Sequence, residues 1–233
     1  MKKKTQTRTI IPPWEKKTAF TLEILILLSG IYQTFFGDIQ MGILILLSFA
    51  IITIPRFFTR DIIDHFPIEV EILLFLMVLL QFILGEVRHF YTNVPYYDKV
   101  VHYLLPMFLG IIGFLIFYSM YITGKLQTSI GAMFFIIIFI TLGIGAMWEI
   151  MEYLSDVLLY PTIPGWHHFQ GNAQQDALTD TMTDLIYDTL GAIFGSLLGF
   201  WFLRKKTKKN PRGQELIAEV DEILYNNPRQ SKK

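Results

Sequence analysis

Carboxylate and imidazole side chains recur at helical spacing in the second half of the chain. Asp180, Asp184 and Asp188 follow one another every four residues, so a helix would carry them on one face. Asp98 and His102 are also four residues apart and would share a face of an earlier helix. Carboxylates that lie close together repel one another, so such a group needs a cation, shared protons or both.

A third acidic pair, Glu149 and Glu152, is spaced by three residues and would share a face of a helix between the other two. Carboxylates combined with an imidazole could hold a divalent ion: an oxygen-rich set favours Mg²⁺, Ca²⁺ or Mn²⁺, and the histidine keeps Zn²⁺ open. We expect the metal ligands to be Asp98, His102, Glu149, Asp180 and Asp184.

Other residues of the cluster receive supporting roles. Glu152 and Asp188 are expected beside the ligands, and Asp188 could be a neutral carboxylic acid because it lies deepest in its helix. The catalytic group is not assigned, and its candidates are Asp98, His102, Glu149 and Glu152. For the helix that begins near Asp98 there is a structural alternative. Asp98 and Lys99 would anchor the helix at the membrane interface, and His102 would be a hydrogen-bonded packing residue.

Small residues continue the aspartate spacing towards the C-terminus. Gly191, Gly195 and Gly199 form a stripe on which another helix can approach closely, so we expect packing positions rather than ligand contacts. Asp156 and Asp176 lie near predicted helix ends, where we expect them to be solvated.

The composition indicates the medium in which these helices lie. Of the 233 residues, 52% are hydrophobic and 17% are charged, whereas a soluble domain has about 25% charged residues. The balance therefore predicts an integral membrane protein. The chain has no cysteine, which excludes disulfides, thiolate metal sites and thiol nucleophiles.

Apolar runs of spanning length predict an all-α, polytopic bundle of about six transmembrane helices. The runs cover residues 18–36, 39–55, 67–87, 98–121, 127–156 and 181–203. We expect a basic N-terminus over 1–17, the transmembrane bundle over 18–204 and a basic tail over 205–233. The tail carries apolar residues at helical spacing, so it is either an amphipathic helix or a solvated segment.

The distribution of Lys and Arg predicts the orientation. With the N-terminus inside, all but two of the 20 basic residues, Arg88 and Lys99, lie on the inner side. Both termini are then cytoplasmic, and the acidic ends of the last three helices lie at the extracytoplasmic leaflet of the cell (inner or plasma) membrane. This asymmetry explains the basic tail, so no nucleic-acid partner is expected.

Three motifs carry a family resemblance. The chain reads D-K-x-x-H at 98–102, W-E-x-x-E at 148–152 and D-T-x-x-D-x-x-x-D-x-x-G-A at 180–192. In this order the motifs resemble those of the YjdF-type bacterial inner-membrane proteins and, more distantly, of the VanZ-like family. Asp188 stands where VanZ-like proteins usually have Asn. The resemblance implies a small polytopic membrane protein and supplies no settled activity.

Three functions are compatible with these observations. The first is metal-assisted binding or processing of a phosphate-bearing envelope lipid at the outer leaflet, with membrane lipids as partners. The second is a transporter in which the carboxylates relay protons or cations. The third is a structural membrane protein whose polar cluster only ties helices together. Whether the protein is an enzyme, and its oligomeric state, are left open by the sequence.

Overall fold

A computed structural model describes residues 12–53, 68–122, 124–166, 168–170 and 176–206. Within these ranges the chain is helical, which confirms the all-α prediction, and each of the six apolar runs corresponds to one long helix. The expected amphipathic helix of the tail and most of the basic N-terminus lie outside the described residues. The long helices are α1 (Pro13–Phe36), α2 (Ile39–Thr53), α3 (Ile68–Val87), α4 (Tyr97–Ile122), α5 (Ile130–Leu158) and α6 (Ala177–Lys206).

Four of the described helices are long and apolar enough to cross a membrane, namely α1, α3, α4 and α5. The described part of α2 is apolar but has only 15 residues. Helix α6 is not among the four, and its N-terminal half carries the aspartate stripe. Helix α3 changes to π-helical geometry over Leu79–Val87, and a single helical turn, Phe90–Asn93, precedes α4.

The described chain forms two compact units. The first comprises residues up to Val87 together with those from Leu203 onwards. In it, α1 and α2 are joined by a short turn in which Gly37 follows the last residue of α1. The Asp38 carboxylate then caps α2 by accepting hydrogen bonds from the Gln40 and Met41 backbone N–H groups. Its core is built around Ile26 of α1, whose neighbours are apolar residues of α2 and α3.

The second unit, Arg88–Phe202, contains α4, α5 and most of α6. Ser129 begins α5 by accepting a hydrogen bond from the Ala132 N–H at 3.1 Å. Asp176 caps α6 in the same way, and the bonds from the Thr179 N–H and hydroxyl lower the pKa of this exposed carboxyl. Asp176 thus lies at a solvated helix end, as predicted.

The glycine stripe of α6 lies directly against the backbone of α4. A Cβ atom at Gly191 would overlap the Tyr103 carbonyl oxygen, and one at Gly195 would overlap the Met107 carbonyl oxygen. Because both members of these contacts advance by four residues, the two helices run parallel in a fixed register. One turn earlier, this register places the start of α4 beside the aspartate stripe of α6. Close glycine packing therefore brings the two polar motifs together.

Candidate functional site

Lys99 lies among three aspartates at the start of α4. Its Nζ atom is 2.8 Å from Asp98 Oδ2, 2.8 Å from Asp180 Oδ1 and 2.7 Å from Asp184 Oδ1. An ammonium group has three N–H donors, so all of them are used by carboxylates. The Lys99 side chain is only 12% exposed. Lys99 is therefore the central cation of a polar cluster that joins α4 to α6.

The His102 imidazole lies deeper in the same cluster. Its Nδ1 atom is 3.1 Å from Asp188 Oδ1; when Asp188 is ionised its carboxylate can only accept, and Nδ1 then carries the hydrogen. In the neutral ring the lone pair is then on Nε2. That atom faces Asp98 Oδ1 at 3.7 Å and Glu149 Oε1 at 3.8 Å, both beyond hydrogen-bond distance.

Asp188 is held between α4 and α5. It is 1% exposed, and its second oxygen, Oδ2, lacks a hydrogen-bond donor among the described residues. This oxygen lies so close to Gly145 of α5 that a Cβ atom there would overlap it. Gly145 therefore leaves the space in which Asp188 can reach His102.

Glu149 contributes a second unpartnered oxygen. Its side chain is 5% exposed, and Oε1, the atom that faces His102, has no hydrogen bond within the described part of the chain. The Thr181 hydroxyl of α6 lies beside the Glu149 carboxyl group and accepts a hydrogen bond from Gln170 Nε2 at 3.1 Å. Glu149 therefore presents one carboxylate oxygen to His102.

Three residues of the cluster can supply ligand atoms to one metal ion. One atom each from Asp98, His102 and Asp184 lie within 4.8 Å of one another. Glu149 is next to this set through His102 Nε2, and Asp180 contacts Lys99. Three of the five residues predicted as ligands thus lie close enough to share one ion, Glu149 and Asp180 lie at the edge of this set, and Lys99 shares the space with them.

A sequence comparison identifies the family. The profile of the predicted membrane protein family DUF2238 matches residues 18–205, which span all six long helices and the cluster. The chain belongs to this family. The search of curated proteins gave no match, and the search of solved structures gave none either. Membership in DUF2238 agrees with the membrane prediction and assigns no activity.

Two further acidic residues of this DUF2238 protein have other partners. Glu152 accepts a 2.7 Å bond from the indole Nε1 of Trp148, one turn earlier on α5. The prediction that Asp156 is solvated is wrong: its side chain is 9% exposed and accepts the backbone N–H groups of Phe169 and Gln170 at 2.9 and 2.8 Å. Asp156 therefore fastens the middle of the α5–α6 loop to α5.

Sequence reasoning underestimated two features of the DUF2238 site. Lys99 was given a role only in the structural alternative, as an interfacial anchor, although it lies three residues before His102, a spacing that places both on one helix face. Gly145 gave no signal because its importance depends on the Asp188 carboxylate of another helix. For Lys99, the available signal in the sequence was a lysine on the same helix face as His102, which was itself expected to lie beside the aspartates of the last helix.

Proposed function

We propose that this membrane protein binds a divalent cation in the cluster, with Asp98, His102 and Asp184 as the central ligands and Glu149 as a further one. One observation carries the proposal: Nε2 of His102 faces two carboxylate oxygens at 3.7 and 3.8 Å while Asp188 holds Nδ1. Proteins commonly use such a buried carboxylate to orient a metal-binding histidine.

The distances support a cation between the groups. A metal–ligand bond is about 2.0 to 2.6 Å long, so two ligands of one ion are no more than about twice that distance apart. Separations of 3.7 and 3.8 Å satisfy this limit, whereas a direct hydrogen bond would be shorter. The mixed nitrogen and oxygen ligands suit Mn²⁺ or Zn²⁺ as well as Mg²⁺ or Ca²⁺.

The charges support the same proposal. Among the described residues, the basic side chains seen in contact with the cluster are Lys99 and His102, which face five carboxyl groups, those of Asp98, Glu149, Asp180, Asp184 and Asp188. Charged groups inside a membrane are costly unless they are paired. A bound divalent cation would offset the remaining negative charge and would occupy the unpartnered oxygen of Glu149.

We further propose that the bound ion contacts a phosphate-bearing lipid. A cation at headgroup depth can bind phosphate oxygens and activate water. Since the three donors of Lys99 are already used, contact with phosphate would have to pass through the ion. The extracytoplasmic position of the site, the cytoplasmic termini and the kinship with YjdF-type and VanZ-like proteins are parts of this proposal.

The three N–H donors of Lys99 are all bonded to carboxylates, and this also favours a second candidate function. Since the described residues place no free lysine at the cluster to bind phosphate, the carboxylates could instead pass cations or protons, as in a transporter. In a purely structural protein the same contacts would only fasten α4 to α6. The structural alternative predicts that substitution of the proposed ligands, as in Asp184→Asn or His102→Gln, loses folded protein, whereas the other two predict folded protein without function.

Binding of Mn²⁺ to the full chain in detergent tests the cation site. Electron paramagnetic resonance measures the free and bound Mn²⁺. We expect saturable binding to the wild type and strongly weakened binding to Asp184→Asn and His102→Gln. Affinity should fall as the pH is lowered because carboxylate and imidazole ligands must lose protons to bind metal. Asp176→Asn, an exposed carboxylate of the same helix, serves as the control. Unchanged binding in both site variants would refute the assignment.

Lipid binding in detergent and uptake into vesicles distinguish the lipid and transport proposals. In the presence of Mn²⁺, the lipid proposal predicts that the detergent-solubilised protein binds phosphatidic acid more tightly than neutral lipid. This difference in lipid binding should be lost in Asp184→Asn. Mn²⁺ uptake into reconstituted vesicles that the same substitution abolishes would favour transport instead.

A further inference from the structure

The loop that follows α5 returns to the cluster through one buried side chain. Gln170 is 8% exposed, and its backbone N–H is fixed by Asp156. Its amide nitrogen lies 3.3 Å from the backbone oxygen of Glu149 and 3.1 Å from Oγ1 of Thr181. Gln170 thus bridges α5 and α6 beside Glu149.

The chemistry of these partners fixes the orientation of the amide. The backbone oxygen of Glu149 can only accept hydrogen bonds, so the NH₂ group of Gln170, and not its oxygen, must face it. The second amide hydrogen is then available to Thr181 Oγ1. Both N–H donors of Gln170 are satisfied by this arrangement.

The orientation of Gln170 in turn directs the Thr181 hydroxyl. Since Oγ1 accepts from Gln170, the hydroxyl hydrogen is free to point towards the Glu149 carboxyl group beside it. The Glu149 oxygen that faces His102 Nε2 at 3.8 Å, Oε1, has no hydrogen-bond partner among the described residues.

We propose that Gln170 and Thr181 are positioning residues that orient Glu149 as a ligand of the cation. The inference rests on the cation site proposed above. It adds a series of polar contacts, called the relay below, that runs from Gln170 of the α5–α6 loop through Thr181 of α6 to Glu149. Hydrogen-bond partners behind a ligand typically change metal affinity by about 10- to 100-fold.

The experiment is Mn²⁺ titration of the full-length protein in detergent, with matched threonine variants. Thr181→Val keeps the shape but removes the hydroxyl, and we expect affinity to fall about 10- to 100-fold. Thr181→Ser keeps the hydroxyl and should bind nearly as wild type does. Thr189→Val is the control, because that hydroxyl donates to the Leu185 carbonyl of its own helix. Circular dichroism without metal checks that each variant is folded.

A second variant covers the case in which Thr181→Val does not fold. Gln170→Met keeps the volume and removes both amide donors, and it should also weaken Mn²⁺ binding. Wild-type affinity in Gln170→Met and in folded Thr181→Val would overturn the relay while leaving the cation site intact. Weakened binding in Thr181→Ser equal to that in Thr181→Val would also overturn it. Absence of binding by the wild type would instead refute the cation site itself, and the relay with it.

Discussion

Replacing Lys99 with methionine tests the central ion-pair network. Methionine keeps most of the side-chain volume but removes the ammonium that contacts Asp98, Asp180 and Asp184 at 2.7 to 2.8 Å. The Asp184 and Asp180 side chains are only 3% and 14% exposed, so water cannot replace the lost donors fully. The variant leaves these carboxylates beside one another without the Lys99 ammonium.

The expected magnitude follows from this burial. Removing one partner of a buried ion pair costs about 3 to 5 kcal/mol. Asp98 is 34% exposed, so its share is small, as for surface pairs. We therefore expect Lys99→Met to lower the free energy of unfolding by about 3 to 5 kcal/mol. Unfolding in mixed micelles, followed by circular dichroism, measures the change.

Added Mn²⁺ should recover part of this loss if the cluster binds cations. A ligand present at about 100 times its dissociation constant stabilises the folded state by about 2.7 kcal/mol. Lys17→Met is the control because Lys17 is exposed on α1. Equal unfolding free energies for Lys99→Met and Lys17→Met would refute the buried network, and absence of any Mn²⁺ effect would count against the cation site.

Three further substitutions test the packing around the cluster. Gly191→Ala should lower the free energy of unfolding by about 1 to 3 kcal/mol in the same assay, because its methyl group overlaps a carbonyl of α4. Gly143→Ala is the matched control: its methyl group meets open space, so this variant should be neutral or slightly stabilising. Gly145→Ala should displace the Asp188 carboxylate and weaken Mn²⁺ binding, and unaltered binding would contradict that contact. Asp156→Ala leaves two loop N–H groups without their acceptor, so amide hydrogen exchange in the loop should accelerate; exchange at the wild-type rate would contradict the fastening role.

Much of the fold followed from hydropathy because a membrane helix must satisfy its own backbone and present apolar side chains to lipid. The ends of the helices shifted by a few residues: α6 begins at Ala177, four residues before the predicted start, because Asp176 caps it. Helical spacing also identified the carboxylates and His102, since periodicity reports which residues share a face.

The sequence could not predict which atoms meet across helices. The pairing of Gly191 with Tyr103 sets the register of α6 on α4, and this register brings Lys99 to the aspartates. Gln170 was missed for a similar reason, because a lone glutamine in a polar loop has no periodic pattern. Such contacts depend on three-dimensional packing between distant segments.

The metal content of the protein purified in detergent tests the central claim most directly. The comparison is between the wild type and the Asp98→Ala/His102→Ala double variant, prepared without added metal and shown to be equally folded by circular dichroism. We predict one divalent ion per wild-type chain, measured by inductively coupled plasma mass spectrometry, and its loss in the double variant. Equal metal content in the two proteins, or none in the wild type even after incubation with Mn²⁺, would contradict the cation site.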